Sequence, residues 1–144
     1  MNLELLFWSA QKTGNSTLGM IAKAHAMKTG KLWLREDNST AHLCTFDPIT
    51  GKLEEACTGT PQGYSSGSTW ARGQAWGIYG WTMAYRFTRD ESFLTFAERA
   101  ASYYILNTDH KTRVPLWDFQ APKNESWPDT SAAAITASAL VELS

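Results

Sequence analysis

Apolar and polar residues recur at helical spacing along several segments of the chain. Within residues 17–29, for example, Leu18, Ile21, Ala22 and Ala26 fall on one side of a helix, as expected where an amphipathic helix covers a core. The same spacing predicts helices over residues 2–13, 17–29, 68–87, 91–107 and 129–143. We therefore predict an all-α protein.

Residues 30–67 differ from the helical segments because they are rich in turn-forming residues. Two short strand-like runs, at 42–46 and 52–56, flank the turn sequence DPITG. This pattern predicts a short β-hairpin inserted between helices. Residues 108–128 contain three of the five prolines and predict a second loop.

A weak internal repeat relates two parts of the helical pattern. TGNSTLGMIAKAHA, at 13–26, aligns with TRDESFLTFAERAA, at 88–101, so that Asn15 matches Asp90. Each copy is typical of one helix end, a capped turn and the start of the next helix. Two similar hairpins could arise by convergence. The alternative is a toroid of repeated helical hairpins, and since the predicted helices cannot close such a ring, we expect the chain to be a segment of it.

Composition limits the classes of ligand. The chain has 144 residues and a formal net charge of −1, so no global field attracts nucleic acid or an anionic membrane. There is no long apolar run and no basic segment at the start, so we expect neither a membrane span nor a signal peptide. Cys44 and Cys57 could bridge across the hairpin or remain free thiols, and no cysteine–histidine cluster indicates a metal site.

The densest candidate for a binding site is residues 62–76, QGYSSGSTWARGQAW. Trp70, Arg72 and Trp76 combine flat rings with a bidentate donor, which suits a sugar that carries a carboxylate. Arg72 and Trp76 share a helix face because they are four residues apart, whereas Trp70 joins them only if it precedes the regular helix. The start of a helix also favours anions. The alternative is a buried helix start in which the rings fill the core and Arg72 forms a salt bridge.

Other polar residues are candidates only under stated conditions. His42 belongs to the site if the fold brings it beside residues 62–76. His25 falls on an apolar helix face and is expected in the core. Asp118 lies between aromatic residues and could bind a hydroxyl group or hold a neighbouring loop. Asp129 is expected to cap the last helix, and no carboxylate has the context of a tuned catalytic acid.

Several segments occur together in an order that resembles a known family. They are MNLELLFW, the run from Asn38 to His42, QGYSSGSTWARGQAWGIYG, VPLWDFQAP and DTSAAAITASALVELS. Together they cover nearly the whole chain and resemble the unsaturated glucuronyl hydrolases of glycoside hydrolase family 88. The RGQAW form differs from the RGNGW typical of the related unsaturated rhamnogalacturonyl hydrolases, which are kept as an alternative.

The resemblance implies an (α/α)6 barrel, a six-hairpin toroid. Residues 1–144 would be a partial domain of it, truncated at both ends and carrying the short β-hairpin insertion. It also implies hydrolysis of unsaturated uronyl oligosaccharides, the products of polysaccharide lyases. In this family an Asp protonates C4 of the ring's vinyl ether and water adds at C5. The terminal unsaturated uronic acid is then released without a metal or another cofactor.

Site residues follow from the resemblance by their positions in the motifs. His42 is assigned to the catalytic site, where His42 and Gln62 line the subsite for the unsaturated ring. Trp70 is expected near that ring, while Arg72 and Trp76 contact the next sugar or its sulfate. The expected partner is an acidic oligosaccharide, with no nucleic acid or membrane. The compartment and the oligomeric state stay open.

The sequence also departs from the family pattern. The family's catalytic Asp stands in an Asp-x-Met-Met-Asn motif whose last residues match Met1 and Asn2. We therefore expect that Asp to precede Met1, and we expect no turnover from the isolated chain. Ser66 and Gly67 follow QGYS where the family often has acidic residues, which could alter the preference for sulfated substrates. The alternatives to an enzyme are a non-catalytic segment that binds acidic sugars and a structural relic.

Overall fold

A computed structural model describes residues 2–54, 56–125 and 127–144, and the fold over these residues is helical. Its elements are α1 (Leu3–Thr13), α2 (Ser16–Trp33), α3 (Ala71–Thr88), α4 (Glu91–Asn107) and α5 (Thr130–Leu143), with a short 3-10 turn at Lys123–Glu125. In this part of the chain, β structure is limited to isolated antiparallel bridges. The all-α prediction is confirmed. Met1, in the first quoted motif, and residue 55, in the second predicted strand, lie outside the description.

The helices form consecutive hairpins in two layers. Helix α3 packs between α1 and α5, and α2 packs beside α4 on the other side. Small residues allow this close approach, because Ala22 and Ala26 of α2 and Ala97 and Ala101 of α4 are all buried. The arrangement is that of a segment of an α/α barrel. None of the described helices is long and apolar enough to cross a lipid bilayer.

The two hairpins turn in the same way. Thr13 and Thr88 each donate a hydroxyl hydrogen bond to a carbonyl four residues earlier, at 2.7 and 2.8 Å. Each hydroxyl oxygen also accepts the N–H of the next N-cap residue, Asn15 or Asp90, at 3.3 Å. The N-cap side chain then accepts an N–H two residues further on, at 3.1 Å in both turns. The weak sequence repeat therefore corresponds to a repeated structural unit.

Helix α2 is longer than the sequence pattern predicts. It was expected to end at residue 29, before Gly30, but it continues to Trp33. Gly30 lies inside this helix, and its lack of a side chain is explained by the phenyl ring of Phe96 on α4, which occupies the space that a Cβ would need. The glycine is thus a packing residue, and the prediction of a break at this position was wrong.

Helix α3 starts later than predicted, at Ala71 and not at residue 68. The residues just before it pair with the second loop. Ala71 N–H donates to the carbonyl of Trp117, and Phe119 N–H donates to the carbonyl of Thr69, both at 3.0 Å. This pairing keeps Thr69 and Trp70 in an extended conformation, so the helix begins only at Ala71.

The segment between α2 and α3 contains the predicted hairpin in a reduced form. Isolated bridges join Leu43 to Gly59 and Phe46 to Leu53, without continuous strands. A disulfide between Cys44 and Cys57 closes the two arms, which decides between the two alternatives that the sequence left open. The hairpin thereby connects the end of α2 to the loop that precedes α3.

Candidate functional site

A cavity of about 470 Å³ lies beside the start of α3. Its walls come from the first residues of α1, the second half of α2, residues 40–42 and α3. Three of the predicted site residues, His42, Trp70 and Trp76, line it. Its volume falls in the range of small-molecule sites. The fold therefore meets the condition set for His42, which was that it converge with residues 62–76.

His42 and Trp70 form a stacked pair in this wall. Their ring centroids are 4.3 Å apart and their planes differ by 22°, and His42 Nδ1 lies 3.1 Å from the hydroxyl oxygen of Thr60. Burial lowers the pKa of His42 from its usual 6.5, while the side chain of Gln62 and the charge of Asp118 oppose that shift. His42 is therefore neutral at about pH 7, and its imidazole can both donate and accept hydrogen bonds.

Gln62 does not line the cavity, since it lies on the exposed loop that precedes α3. Its side chain is nevertheless close enough to His42 to raise the pKa of the imidazole. The loop thus places an amide group beside the His42 edge of the site.

Asp118 is a fully buried carboxylate beneath the loop that carries Gln62. Its Oδ2 accepts the Tyr64 N–H at 3.0 Å and the Ser68 hydroxyl at 2.7 Å. Its Oδ1 accepts the Gln120 N–H at 2.9 Å. Of the two alternatives for Asp118, the structure shows the second, because the side chain holds a neighbouring loop.

Arg72 stands beside Trp70 and does not line the cavity itself. Trp70 is the N-cap residue and has an extended backbone, so the two side chains meet although they are only two positions apart. The guanidinium carbon lies 5.0 Å from the Trp70 ring centroid. Arg72 Nη1 also lies 2.8 Å from Asp129 Oδ2. The salt bridge of the alternative interpretation is therefore present, on a guanidinium that remains partly exposed.

Sequence reasoning missed the role of Gln74, which is fully buried in α3. Its Oε1 accepts the Thr40 N–H at 2.7 Å, and its Nε2 donates to the carbonyls of Asn38 and Ala100 at 3.0 and 2.9 Å. One side chain thus ties α3 to α4 and to the residues just before His42. A glutamine in an otherwise apolar helix face was the available signal.

The prediction that His25 lies in the core was wrong. His25 is exposed on α2 and lines the cavity, together with Thr29 and Trp33. The reason is the packing of α2, because the side of the helix that carries His25 borders the cavity and is not covered by a neighbouring helix. Among the described residues, no group of three or more His, Cys, Asp or Glu side chains could hold a metal ion.

Two-layered helical hairpins with an aromatic cavity at the helix starts define a segment of an α/α-barrel protein, and solved structures agree. The crystal structure of the unsaturated glucuronyl hydrolase from Bacillus sp. GL1, described as responsible for the degradation of glycosaminoglycan, matches with a TM-score of 0.92 and 40% identity, over 99% of this chain and 37% of that one. A mutant of the Streptococcus agalactiae enzyme, complexed with dGlcA-GalNAc6S, matches with a TM-score of 0.82 and 33% identity, again over 99% and 37% of the two chains.

Sequence comparison gives the same result. An unsaturated glucuronyl hydrolase of Formosa agariphila is 44% identical over 145 residues, which cover 99% of this chain and 36% of that protein. No family model matches the chain. By sequence and fold the chain is similar to the unsaturated glucuronyl hydrolases over 99% of its length, and it spans little more than a third of the length of the relatives it matches.

Proposed function

We propose that these 144 residues are part of an (α/α)6-barrel hydrolase that releases the terminal unsaturated uronic acid from oligosaccharides made by polysaccharide lyases. One observation carries the proposal beyond homology. The stacked pair of His42 and Trp70 lies in a cavity that Trp76 also lines. Aromatic faces bind sugar rings, and a neutral imidazole offers a donor and an acceptor to their polar groups.

The roles in this proposal come from the family resemblance, and the lining of one cavity by His42, Trp70 and Trp76 supports them. His42 and Gln62 bind the unsaturated ring, and Trp70 supports the imidazole from behind. Trp76 stacks on the next sugar, and Arg72 binds an anionic group on it. The reaction is protonation of C4 of the vinyl ether and addition of water at C5, after which the hydrated ring opens and the bond to the next sugar breaks.

In this proposal the proton donor is an Asp outside these 144 residues. No carboxylate lines the cavity among the residues that the structure describes. Asp118 is fully buried and accepts hydrogen bonds on both oxygens. Asp129 likewise has both oxygens engaged, one by a backbone N–H and one by Arg72. Neither carboxylate is placed to deliver a proton to a sugar in the cavity.

The surface of the first hairpin supports the proposal that further hairpins complete the barrel. Leu5 and Trp8 of α1 are 66% and 51% exposed. They line an open groove between α1 and α3 with Trp76 and Phe87. Apolar surface of this kind usually marks an interface, and the remaining hairpins of the same barrel would cover it.

The test compares the 144-residue chain with the natural protein that contains it. Both are given unsaturated chondroitin disaccharide, and loss of the ultraviolet absorbance of its double bond is followed. We expect turnover by the longer protein and none by the 144-residue chain. A saturated disaccharide is the matched control, and it should not be cleaved because the reaction needs the vinyl ether.

Three other outcomes would overturn parts of the proposal. Turnover by the 144-residue chain would place the proton donor inside it. Binding without turnover in the longer protein would favour a non-catalytic module for acidic sugars. Turnover of an unsaturated rhamnogalacturonan disaccharide alone would assign the protein to the related rhamnogalacturonyl hydrolases.

A further inference from the structure

The charge of Arg72 is compensated within this chain. Arg72 Nη1 lies 2.8 Å from Asp129 Oδ2, and the two side chains are 37% and 3% exposed, respectively. An arginine that binds an anionic sugar group would usually present its whole charge to the ligand. Here a buried carboxylate already shares that charge.

Asp129 is held firmly enough to define where the guanidinium lies. Its Oδ1 accepts the Ala132 N–H at 2.9 Å as the N-cap of α5, and its own N–H donates to the carbonyl of Pro115 at 2.8 Å. Its other carboxylate oxygen, Oδ2, accepts the hydrogen bond from Arg72. The start of α5 is thereby linked to the start of α3.

The other contact of Arg72 is with Trp70, whose ring centroid is 5.0 Å from the guanidinium carbon. Trp70 in turn stacks on His42 in the cavity wall. A guanidinium has five N–H donors, and Asp129 accepts from one nitrogen. Arg72 can therefore bind a ligand beside Trp70 while Asp129 keeps it in place.

We propose that Asp129 is a positioning and specificity-determining residue, which holds Arg72 beside Trp70 and limits the advantage of a sulfated sugar over an unsulfated one. This inference rests on the proposed function, because it assumes that Arg72 meets the sugar next to the unsaturated ring. A free arginine favours an added sulfate by charge attraction, whereas a paired arginine binds hydroxyl and sulfate groups more evenly.

The variant Asp129→Asn isolates the charge. Asparagine is as good an N-cap as aspartate, so the hydrogen bond to Ala132 can remain while the ionic partner of Arg72 is lost. Asp90→Asn is the matched control. Asp90 caps α4 with one oxygen, at 3.1 Å from Ser92 N, and pairs with Lys23 through the other, at 2.9 Å, but it lies at the turn end of its hairpin.

The experiment measures kcat and KM of the natural-length protein on sulfated and unsulfated chondroitin disaccharides. In Asp129→Asn we expect the ratio of kcat/KM values, sulfated over unsulfated, to rise about three- to tenfold, mainly through KM and more at low salt. Asp90→Asn should leave the ratio unchanged. Adding Arg72→Ala to Asp129→Asn should abolish the rise. An unchanged ratio in Asp129→Asn, or an equal rise in Asp90→Asn, would overturn the inference.

Failure of the proposed function would be recognised separately, because the wild-type protein would then cleave neither disaccharide. In that case inorganic sulfate is the probe, and its binding is measured by calorimetry. Tighter binding by Asp129→Asn than by wild type or Asp90→Asn, lost with Arg72→Ala, would support the role of Asp129 in controlling the charge of Arg72. Equal affinities in all the proteins would refute it.

Discussion

Helix α3 is held in different ways at its two ends. Its last residues form a turn with their immediate neighbours in the sequence, as the hydrogen bonds of Thr88 and Asp90 show. The distant polar partners at this end, Glu4 and Glu142, reach it only through the partly exposed ion pairs of Arg86. Its first residues are held by groups 26 to 57 positions away, because Gln74 donates to Ala100 and Arg72 pairs with Asp129, the N-cap residue of α5. The candidate site lies at the start of α3, the end that these distant groups hold.

The comparison shows why one end is better suited to a binding site than the other. The turn end is a unit of the fold, which occurs again between α1 and α2 and needs only a short local sequence. The site end joins α2, the hairpin segment, the second loop and the start of α5 through buried polar groups. A buried polar group destabilises the fold when it lacks a hydrogen-bond partner, and a fully paired network allows only one arrangement of its side chains. The network can therefore fix His42, Trp70 and Arg72 relative to one another.

The largest expected effect is at the buried carboxylate of the site end. Asp118→Ala would leave the Tyr64 and Gln120 N–H groups and the Ser68 hydroxyl without their acceptor. We expect a loss of about 3–5 kcal/mol in the free energy of unfolding, measured by urea denaturation, and loss of substrate binding with it.

Asp109→Ala is the matched control for that change. Asp109 also accepts two backbone N–H bonds, at 2.9 and 3.0 Å, but in an exposed turn where water can replace it. Its substitution should have a much smaller effect. Equal destabilisation by the two variants would contradict the distinction between the site and the exposed turns.

Gln74→Leu should have the next largest effect. It would remove the partner of Thr40 N–H and of the carbonyls of Asn38 and Ala100 from a dry interior. We expect a loss of about 2–4 kcal/mol in unfolding free energy. Gln120→Leu is the comparison, since Gln120 is exposed and bonds Thr69 N–H. If Gln120→Leu proved the more damaging variant, the account of the buried network would be wrong.

Substitutions at the turn end should change the free energy of unfolding only slightly, and the two variants below should change it in opposite directions. Gly14 and Arg89 hold the same left-handed position in the two turns, with φ of 71° and 54°. Gly14→Ala should destabilise by about 1 kcal/mol. Arg89→Gly should stabilise by about 0.5 kcal/mol, since relief of strain is partly offset by the greater freedom of glycine in the unfolded chain. Thermal unfolding of both variants checks this, and destabilisation by Arg89→Gly would argue against equivalent turns.

The smallest effect concerns pH. Burial lowers the pKa of His42 from its usual 6.5, so the unfolded chain binds a proton at this residue more readily than the folded chain. The resulting stability is present above about pH 6.5 and is lost as the pH falls below that value. Unfolding midpoints measured from about pH 8 to about pH 5 should decline less in His42→Gln than in wild type. Superimposable profiles would mean that His42 contributes nothing to the pH dependence.

The same contrast explains what the sequence could predict. The helices, the capped turns and the cap at Asp129 depend on residues close in sequence, and these predictions are confirmed. The end of α2 was misjudged because Gly30 is explained only by the ring of Phe96 on another helix. His25 was misplaced for the same reason, since its surroundings depend on how α2 lies against α3.

The sequence predicted which residues form the candidate site better than it predicted the hydrogen bonds that hold them in place. The convergence of His42 with Trp70 is confirmed as geometry, while the roles of His42, Gln62, Arg72 and Trp76 in binding remain predictions. The sequence marked Gln74 as a polar residue in an apolar helix face but did not reveal its partners, which come from residues 38–40 and from α4.

The most direct test of the account is the activity of the natural-length protein with and without His42. Loss of double-bond absorbance from unsaturated chondroitin disaccharide is measured for wild type, for His42→Gln and for Asp109→Asn as a surface control. The account predicts turnover by wild type and the control, and a decrease of about 10- to 100-fold in kcat/KM for His42→Gln. Full activity in His42→Gln would show that the stacked pair beside α3 is not part of the active site.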